Sequence, residues 1–586
     1  MLRDLTENLG GAPIASNIEL PGREAAVEQP SPGPVGEPAR SDSGPTTAAS
    51  HPQSDRPALR NIAPGKLAYE VADLTEGLEL RHGTIGNASL VFARLGSLGA
   101  EAGIRESDRW FCTRDDRFLK GFRELCYKRL GRGPGASMVA EAIAHLEARG
   151  FGCEREPVAS RIAAKDGAIW LSLGPATNEV VKITPQGWEV VEGGPVLFRH
   201  ADNADTLPTP ARGGSVDLLR RHLPNVSEAH WPALVGFIVA TFVPEGAFPI
   251  LCLSGPAESG KSFTTELVRA ICDPVVGLDA RGEFPEKEED LFTIASGQHV
   301  LSFDNLSRVD ADISDALCCL TTGAARQVRL LYSQGNLHTL RVRNPVVLNG
   351  ITPGIQREDL VSRSIFIEHE LPPDAKRKES QVRREFRQDL PLILGAILDA
   401  AALALRDGED TTVTPRHRLE DAACFATAAE PALGFADGAI VAAWKSSQET
   451  THADLCGADP VVEGITRVLK SSMEWNGTAT DLLAQARDTE LGNGGIPLSK
   501  DFPRTASGLG DALKRKTKIL EQAGYVVEKE RGRDKRRITI TRQVDLVVAA
   551  ANGRQSPVIK VSRPQRPPSD DAAAVPSAPA EGGGKV

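Results

Sequence analysis

Eight residues constrain this chain more than any others: GPAESGKS, Gly255 to Ser262. A short apolar run, FPILCLS (Phe248–Ser254), leads into them, and Phe263–Cys272 follows with helical spacing. Gly-x-x-x-x-Gly-Lys-Ser between a strand and a helix curls the backbone so that successive N–H groups face one point. The helix N-terminus adds positive potential at that point. A loop of this kind cradles phosphates, so the chain is expected to contain an α/β P-loop core that binds ATP. The expected nucleotide contacts are Gly255, Pro256, Ala257, Glu258, Ser259, Gly260, Lys261, Ser262 and Phe263. Lys261 is expected at the β- and γ-phosphates and, with no nucleotide present, facing solvent. The Ser262 hydroxyl is expected on Mg²⁺. The bland alternative is a chance Gly-Lys-Ser turn, which the strand–loop–helix context disfavours.

Three further segments extend the site. In HVLSFDN (His299–Asn305), Asp304 ends a buried-type strand. A carboxylate there holds magnesium through water in P-loop ATPases; the alternative is an ordinary strand-ending Asp in a turn. PVVLN (Pro345–Asn349) places Asn349 at the end of a third strand, where α/β sheets collect their ligand chemistry. Asn349 there orients the attacking water or contacts the γ-phosphate, unless Asn349-Gly350 is simply a turn. Arg357 and Arg363 follow in QREDLVSRSIFIE. A guanidinium at the γ-phosphate stabilises transferring charge; the alternative is a surface pair with Glu358 or Asp359.

Two basic features point to nucleic acid. Val328–Tyr332 and Leu337–Arg343 flank Ser333-Gln334-Gly335-Asn336 and read as a hairpin bearing Arg326, Arg329, His338, Arg341 and Arg343. Lining a pore, these residues would track a phosphate backbone; a solvated hairpin fits the sequence equally well. Nearer the C-terminus, Leu509–Ala523 reads as a helix with Lys514, Arg515, Lys516 and Lys518, stopped by Gly524. The strands Tyr525–Lys529 and Arg536–Ile540 follow, joined by Arg531-Gly532-Arg533-Asp534-Lys535. Helices followed by a basic ribbon suggest a winged helix and salt-sensitive phosphate contacts. The interleaved Glu521, Glu528, Glu530 and Asp534 keep a merely solvated face open.

Composition sets the frame. A net charge of −10 excludes a uniformly basic nucleic-acid binder, and the 586 residues allow several domains. The nine scattered cysteines form no Cys-x-x-Cys pair, which fits reduced thiols in a cytoplasmic protein. No apolar run of membrane-spanning length is expected, and MLRDLTENLGG lacks the apolar stretch of a secretory signal. The expected organisation is a disordered tail (1–61), an α+β domain (62–204), a helical lead-in (205–243), the P-loop core (244–375), a helical region (376–455), a winged-helix-like domain (456–545) and a second disordered tail (546–586). Within it, helices are expected at Arg117–Leu130 and Ala136–Arg149, with Gly150 as a helix stop.

P-loop, Asp-ended strand, basic hairpin, Asn-ended strand and paired arginines follow in little more than a hundred residues. This order resembles the superfamily 3 helicases, an AAA+-related group of viruses, phages and mobile elements. HVLSFDNLS, SDALCCLTTG, NPVVLNGI and REDLVSRSIFIEHELPP are similar to the ATPase half of phage and plasmid primase-helicases and to stand-alone ATP-binding proteins of bacterial mobile elements. The resemblance covers roughly residues 162–540. It implies a DNA-dependent ATPase and helicase that replicates a mobile element. ATP and Mg²⁺ sit on Lys261, Ser262 and Asp304, with Asn349 as sensor and Arg357 or Arg363 as a finger from the neighbouring subunit of a ring. Single-stranded or forked DNA and a separate primase or replication protein are the implied partners. Two departures stand out. Asn305 replaces the second acidic residue that many of these helicases carry after the Asp, leaving Glu288, Glu289 and Asp290 as loose candidates for the general base. The hairpin turn also lacks the Lys often found in the family. Two other readings stay open: an AAA+-like ATP-driven regulator or loader of protein partners without unwinding, and a nucleotide-bound module with little turnover.

Overall fold

The computed structural model describes residues 64–85, 88–104, 106–276, 282–285, 287–306, 309, 311–329, 337–350, 355, 357–370, 377–457, 459–470, 472–492, 498–531, 536–542 and 559–564. The expected tails 1–61 and 546–586 lie outside them, apart from 559–564.

The N-terminal sheet runs, in spatial order, Phe111–Cys112, Ala88–Arg94, Glu79–Ile85, Arg155–Ala159 and Leu197–Phe198. Helices Pro64–Glu76, Asp116–Leu130 and Ala136–Gly150 bury Leu67, Val71, Phe118, Phe122, Leu125 and Leu146 in a core of their own. Gly150 is the last residue of its helix rather than the stop after it. A Cβ there would lie 2.3 Å from the Val91 side chain, so this glycine serves the close approach of helix to sheet.

Next comes an antiparallel meander of Ile162–Lys165, Ala168–Ser172, Glu179–Thr184 and Gly187–Glu192. Strand side chains alternate between faces. Ile169, Leu171, Val181 and Ile183 therefore enter the main core, while Ala168, Trp170 and Val180 form a small cluster with Val196 on the other face. The apolar core thus runs without a break from the meander into the elements that follow.

Those elements surround a four-stranded parallel sheet of order Leu301–Phe303, Val346–Asn349, Ile250–Ser254 and Ser364–Glu368. Its strands are nearly all apolar because both faces are covered. Leu251, Leu253, Val347, Ile365 and Ile367 pack into the main core with Trp231–Ala240 and Lys261–Cys272. Ile250, Cys252, Leu301, Phe303, Val346 and Leu348 face a second cluster that includes Leu291, Phe292 and Leu317. The helix Glu379–Asp407 lays Leu390, Ile393, Leu394, Ile397, Leu398 and Ala401 against the main core. It corrects the expectation about apolar runs: this helix has the length and hydropathy to cross a membrane, but 61% of its apolar window is buried inside the protein.

The C-terminal module has a separate core built on Val462, Ile465, Leu482, Leu509, Leu513 and Ile540. Its order is helix Pro460–Leu469, strand Glu474–Gly477, helices Ala479–Gly492, Ala506–Arg515 and Thr517–Gln522, then strands Tyr525–Arg531 and Arg536–Arg542. The three strands form one antiparallel sheet with Arg536–Arg542 in the middle. The expected single helix Leu509–Ala523 is broken at Lys516, whose ammonium turns to the Asp459 carboxylate at 2.5 Å. Asp459 also accepts from the Val461 N–H at 2.8 Å and so caps the first helix of the module.

Part of the expected C-terminal tail is ordered. Lys560–Ser562 pairs antiparallel with Thr412–Thr414, and Arg563 forms ion pairs with Glu430 at 2.9 Å and with Asp437. The Glu430 side chain is fully buried and also accepts from the N–H groups of Gly438 and Ile440 at 2.7 and 2.9 Å. Burial pushes its carboxyl up to about 7 against the pull of those amides and of Arg563. A carboxyl raised in the folded state contributes stability below its usual range and loses it as pH rises through about 7. Arg563→Ala should therefore lower stability by about 2–3 kcal/mol at pH 8, where a buried charge loses its partner. The deficit should be smaller at pH 5.5, where Glu430 takes up a proton. Thermal midpoints of parent and variant at the two pH values check this; equal deficits would contradict it.

Candidate functional site

The loop Gly255–Gly260 leaves the strand Ile250–Ser254 and enters the helix Lys261–Cys272. Gly255 (φ 138°) and Gly260 (φ 85°) lie in backbone regions that L side chains rarely adopt. Added Cβ atoms there would come within 2.7 Å of the His369 carbonyl and 2.4 Å of Asn225 Nδ2. Asn225 Nδ2 donates to the Ser259 carbonyl at 2.5 Å and pins the loop from outside. Because the helix begins at Lys261, its first-turn N–H groups open onto the loop.

Lys261 does not face solvent. Its side chain folds back so that Nζ donates to the Gly255 carbonyl (2.9 Å), the Pro256 carbonyl (2.6 Å) and Ser259 Oγ (3.3 Å), and the residue is only 9% exposed. The loop's own carbonyls draw it in. Burial lowers its pKa, and Asp304 opposes the shift. Buried beside it, His369 shares a 2.8 Å hydrogen bond with Thr264 Oγ1; burial and then Lys261 push its imidazole down to about 4, so it is neutral.

The other candidate residues converge from neighbouring strands. Asp304 Oδ1 accepts from its neighbour's N–H at Asn305 (2.8 Å) and lies 3.4 Å from Ser262 Oγ. Asn305 has φ 58°, and its N–H also reaches Asn349 Oδ1 at 3.1 Å. Asn349 Nδ2 donates to Thr265 Oγ1 at 3.1 Å. Asn349 is thus 2% exposed, with both ends of its amide engaged, and ties the helix after the loop to the turn after Asp304. It is not an exposed turn residue.

Beneath these strands lies a buried ionic cluster with no motif to announce it. Asp273 accepts from Arg161 Nε (2.9 Å), Arg269 Nη1 (3.4 Å) and the N–H groups of His299 and Val300 (2.8 and 3.1 Å). It joins the meander, the end of the helix Lys261–Cys272 and the start of the Asp304 strand. Burial would raise the Asp273 carboxyl, but Arg269 and Arg161 outweigh it and hold it at about 2.

The two arginines stand apart from this edge. The Arg363 carbonyl accepts from the Ile250 N–H at 3.0 Å, at the opposite end of the strand from the loop. At roughly 3.3 Å per residue the loop starts about 16 Å further on. Arg363 Nη1 donates to the Asp359 carbonyl at 2.9 Å and its guanidinium pairs with the Asp359 carboxylate. Arg357 pairs with Asp315 at 2.8 Å. Within one chain, then, neither reaches the loop. Glu288, Glu289 and Asp290 occupy the first turn of the helix Glu288–Gly297.

In the basic hairpin, strands Ala325–Arg329 and Leu337–Arg341 pair. The turn 330–336 and the side chains of Arg326, Arg329, His338 and Arg341 lie outside the described residues. Arg343 does not belong to the hairpin surface: it donates to the Gly246 and Pro244 carbonyls (2.5 and 2.7 Å) and stacks on Phe248. In the C-terminal module Lys514 and Arg515 are exposed. The Lys518 side chain, Arg533 and Lys535 lie outside the described residues.

Comparisons with known proteins place these observations. The C-terminal region of NrS-1 is 10% identical and aligns over 81% of this chain and 99% of its own, with a TM-score of 0.38. A JCV helicase structure is 14% identical over 33% of this chain and 60% of that one, with a TM-score of 0.17. Likeness at this level carries no argument. No curated protein matches the sequence. Residues 216–452 match the family model of the actinomycete integrative conjugative element replication protein, and residues 461–555 match that of the AICE RepA C-terminal domain. These two consecutive matches assign the chain to the replication proteins of actinomycete integrative conjugative elements.

Proposed function

We propose that the chain is a DNA-dependent ATPase of superfamily 3 helicase type that drives replication of its mobile element in the cytoplasm. One observation carries the reading: Lys261, Ser262, Asp304 and Asn349 gather at the carboxyl ends of three neighbouring parallel strands, around a curled loop that opens a helix. Ligands bind at such strand ends. ATP phosphates would lie on the amides of Gly255–Phe263 and draw Lys261 away from the carbonyls it now holds. Ser262 and Asp304 suit Mg²⁺: one hydroxyl and one carboxylate side by side leave the remaining positions to phosphate oxygens and water. Among the described residues no cluster of three His, Cys, Asp or Glu offers a closed metal cage. Bound there, the ion neutralises charge on the phosphates. Asn349 acts as a positioning residue through Asn305 and Thr265. Arg363 or Arg357 acts as a finger only on a neighbouring subunit, so the reading requires a homo-oligomeric ring. AAA+-related cores assembled in this way pass DNA through the centre, and a separate primase or replication protein completes the machinery.

The C-terminal order of helix, strand, helices and hairpin supports a winged-helix reading, with DNA phosphates on its basic side. Lys516 is committed to Asp459, and among the described residues of the helices before the hairpin Lys514 and Arg515 are exposed. Changing both to Ala should weaken DNA binding and flatten the slope of log affinity against log salt by about 0.7–0.9 per lost contact. DNA-free ATP turnover should stay parental. An unchanged slope with parental affinity would move the DNA contact elsewhere.

The helicase reading is tested by displacement of a labelled strand from a forked duplex, with ATP and with a non-hydrolysable analogue. Displacement with ATP alone supports it; turnover without displacement favours the loader. Asn305 is the observation that favours the third reading, a nucleotide-bound module with little turnover.

A further inference from the structure

We infer that Glu283 is the general base that Asn305 does not supply. The inference rests on the ATPase reading of the same site. An amide cannot accept a proton from water, so the position after Asp304 offers no base. The structure brings a carboxylate in from the other side of the Asp304 strand. Gly282 forms a parallel bridge with Phe303, and its carbonyl accepts from the Asp304 N–H at 3.0 Å. Strand Leu301–Phe303 pairs with Val346–Asn349 on one side, so residue 282 adds a pairing on the other. Parallel neighbours in register lie about 4.8 Å apart and share a face. The residue after Gly282 therefore stands beside the residue after Phe303: Glu283 beside Asp304.

A second observation fixes the face. Phe284 packs its ring on Phe303 at 4.7 Å and joins the apolar cluster on that side of the sheet. Side chains alternate along an extended segment. With Phe284 on the Phe303 face, Glu283 takes the opposite one, where Asp304 meets Ser262 Oγ. Glu283 is exposed, as a group serving bound water must be. Glu288, Glu289 and Asp290 lie past the bridge, on a helix that turns Leu291, Phe292 and Ala295 into the apolar cluster.

In the step this assigns, a water oxygen bonds to the γ-phosphorus of ATP. The bond from that phosphorus to the β–γ bridging oxygen breaks, and its electron pair leaves with ADP. The water proton passes to the Glu283 carboxylate and from there to solvent, giving ADP and inorganic phosphate. A positioned base contributes about 10²–10⁴-fold to such a step.

The test uses the full chain with ATP labelled at the γ-phosphate. Glu283→Gln should lower turnover at least about 100-fold, with ATP affinity within about threefold of the parent, since the base touches water rather than the phosphates. Nucleotide recovered from the desalted variant should be intact ATP. The triple change Glu288→Gln, Glu289→Gln, Asp290→Asn should keep parental turnover. A parent that hydrolyses ATP beside an E283Q chain of near-parental rate overturns this inference alone. A parent that neither binds nor hydrolyses ATP overturns the ATPase reading and this inference together.

Discussion

Replacing Lys261 by Ala is expected to cut ATP turnover to near background and, unlike a surface substitution, also to cost stability without nucleotide. The ammonium is buried in its own loop and donates to two carbonyls and a hydroxyl. Without it, Gly255 and Pro256 lose a charged donor, worth about 1–2 kcal/mol. With ATP the loss is larger, because the β- and γ-phosphates lose their point charge. A fall of about 10²–10³ in turnover is expected, the scale of one removed charge-stabilising donor. Two measurements separate these effects. The melting temperature without ATP should drop slightly. The rise that ATP gives the parent, worth about 2.7 kcal/mol at 100 times its dissociation constant, should vanish in the variant. A K261A chain still stabilised by ATP to the parental extent would place the nucleotide elsewhere.

The largest effect on folding is expected at Asp273. Its carboxylate offsets Arg161, whose side chain is 0% exposed, and Arg269, at 1%. Asp273→Ala leaves both cations buried with that partner gone and frees the N–H groups of His299 and Val300. Breaking one partner out of a buried ion pair costs about 3–5 kcal/mol. Because the cluster joins the meander to the Asp304 strand, ATP binding should weaken along with stability. In the parent, a carboxyl held down to about 2 contributes stability above the ordinary carboxylate range and loses it as pH falls through about 2. Chemical denaturation of D273A beside the parent at pH 7 checks the magnitude; a shift under 1 kcal/mol would contradict it.

How much of this was legible in the sequence varied with the range of the interactions. Local signals read well. The glycines of GPAESGKS and the apolar runs ILCLS and VVLN each mark one element. So did the convergence of Ser262, Asp304 and Asn349, because each ends or follows a strand of one parallel sheet. What stayed hidden depends on pairing across long separations. Asp273 looks like an ordinary Asp before a Pro until Arg161 arrives from another sheet. Asn225 and His369 carry no motif, yet pack around the loop. The strand Glu474–Gly477 is short and largely polar, so neither alternation nor an apolar run announces it. Lys560–Ser562 sits in a stretch whose composition reads as tail, and its pairing with Thr412–Thr414 orders it. Charge alone groups Arg343 and Lys516 with nucleic-acid contacts, whereas carbonyls and a capping carboxylate claim them.

We propose that the edge built by Lys261, Ser262, Asp304 and Asn349 binds and hydrolyses ATP in response to DNA. The most direct measurement is phosphate release by the purified full chain with Mg²⁺-ATP, with and without single-stranded DNA, beside K261A. Parental turnover should rise on adding DNA, and the K261A rate should stay at background under both conditions. Turnover that K261A retains, or a parent that releases no phosphate with DNA present, would contradict it.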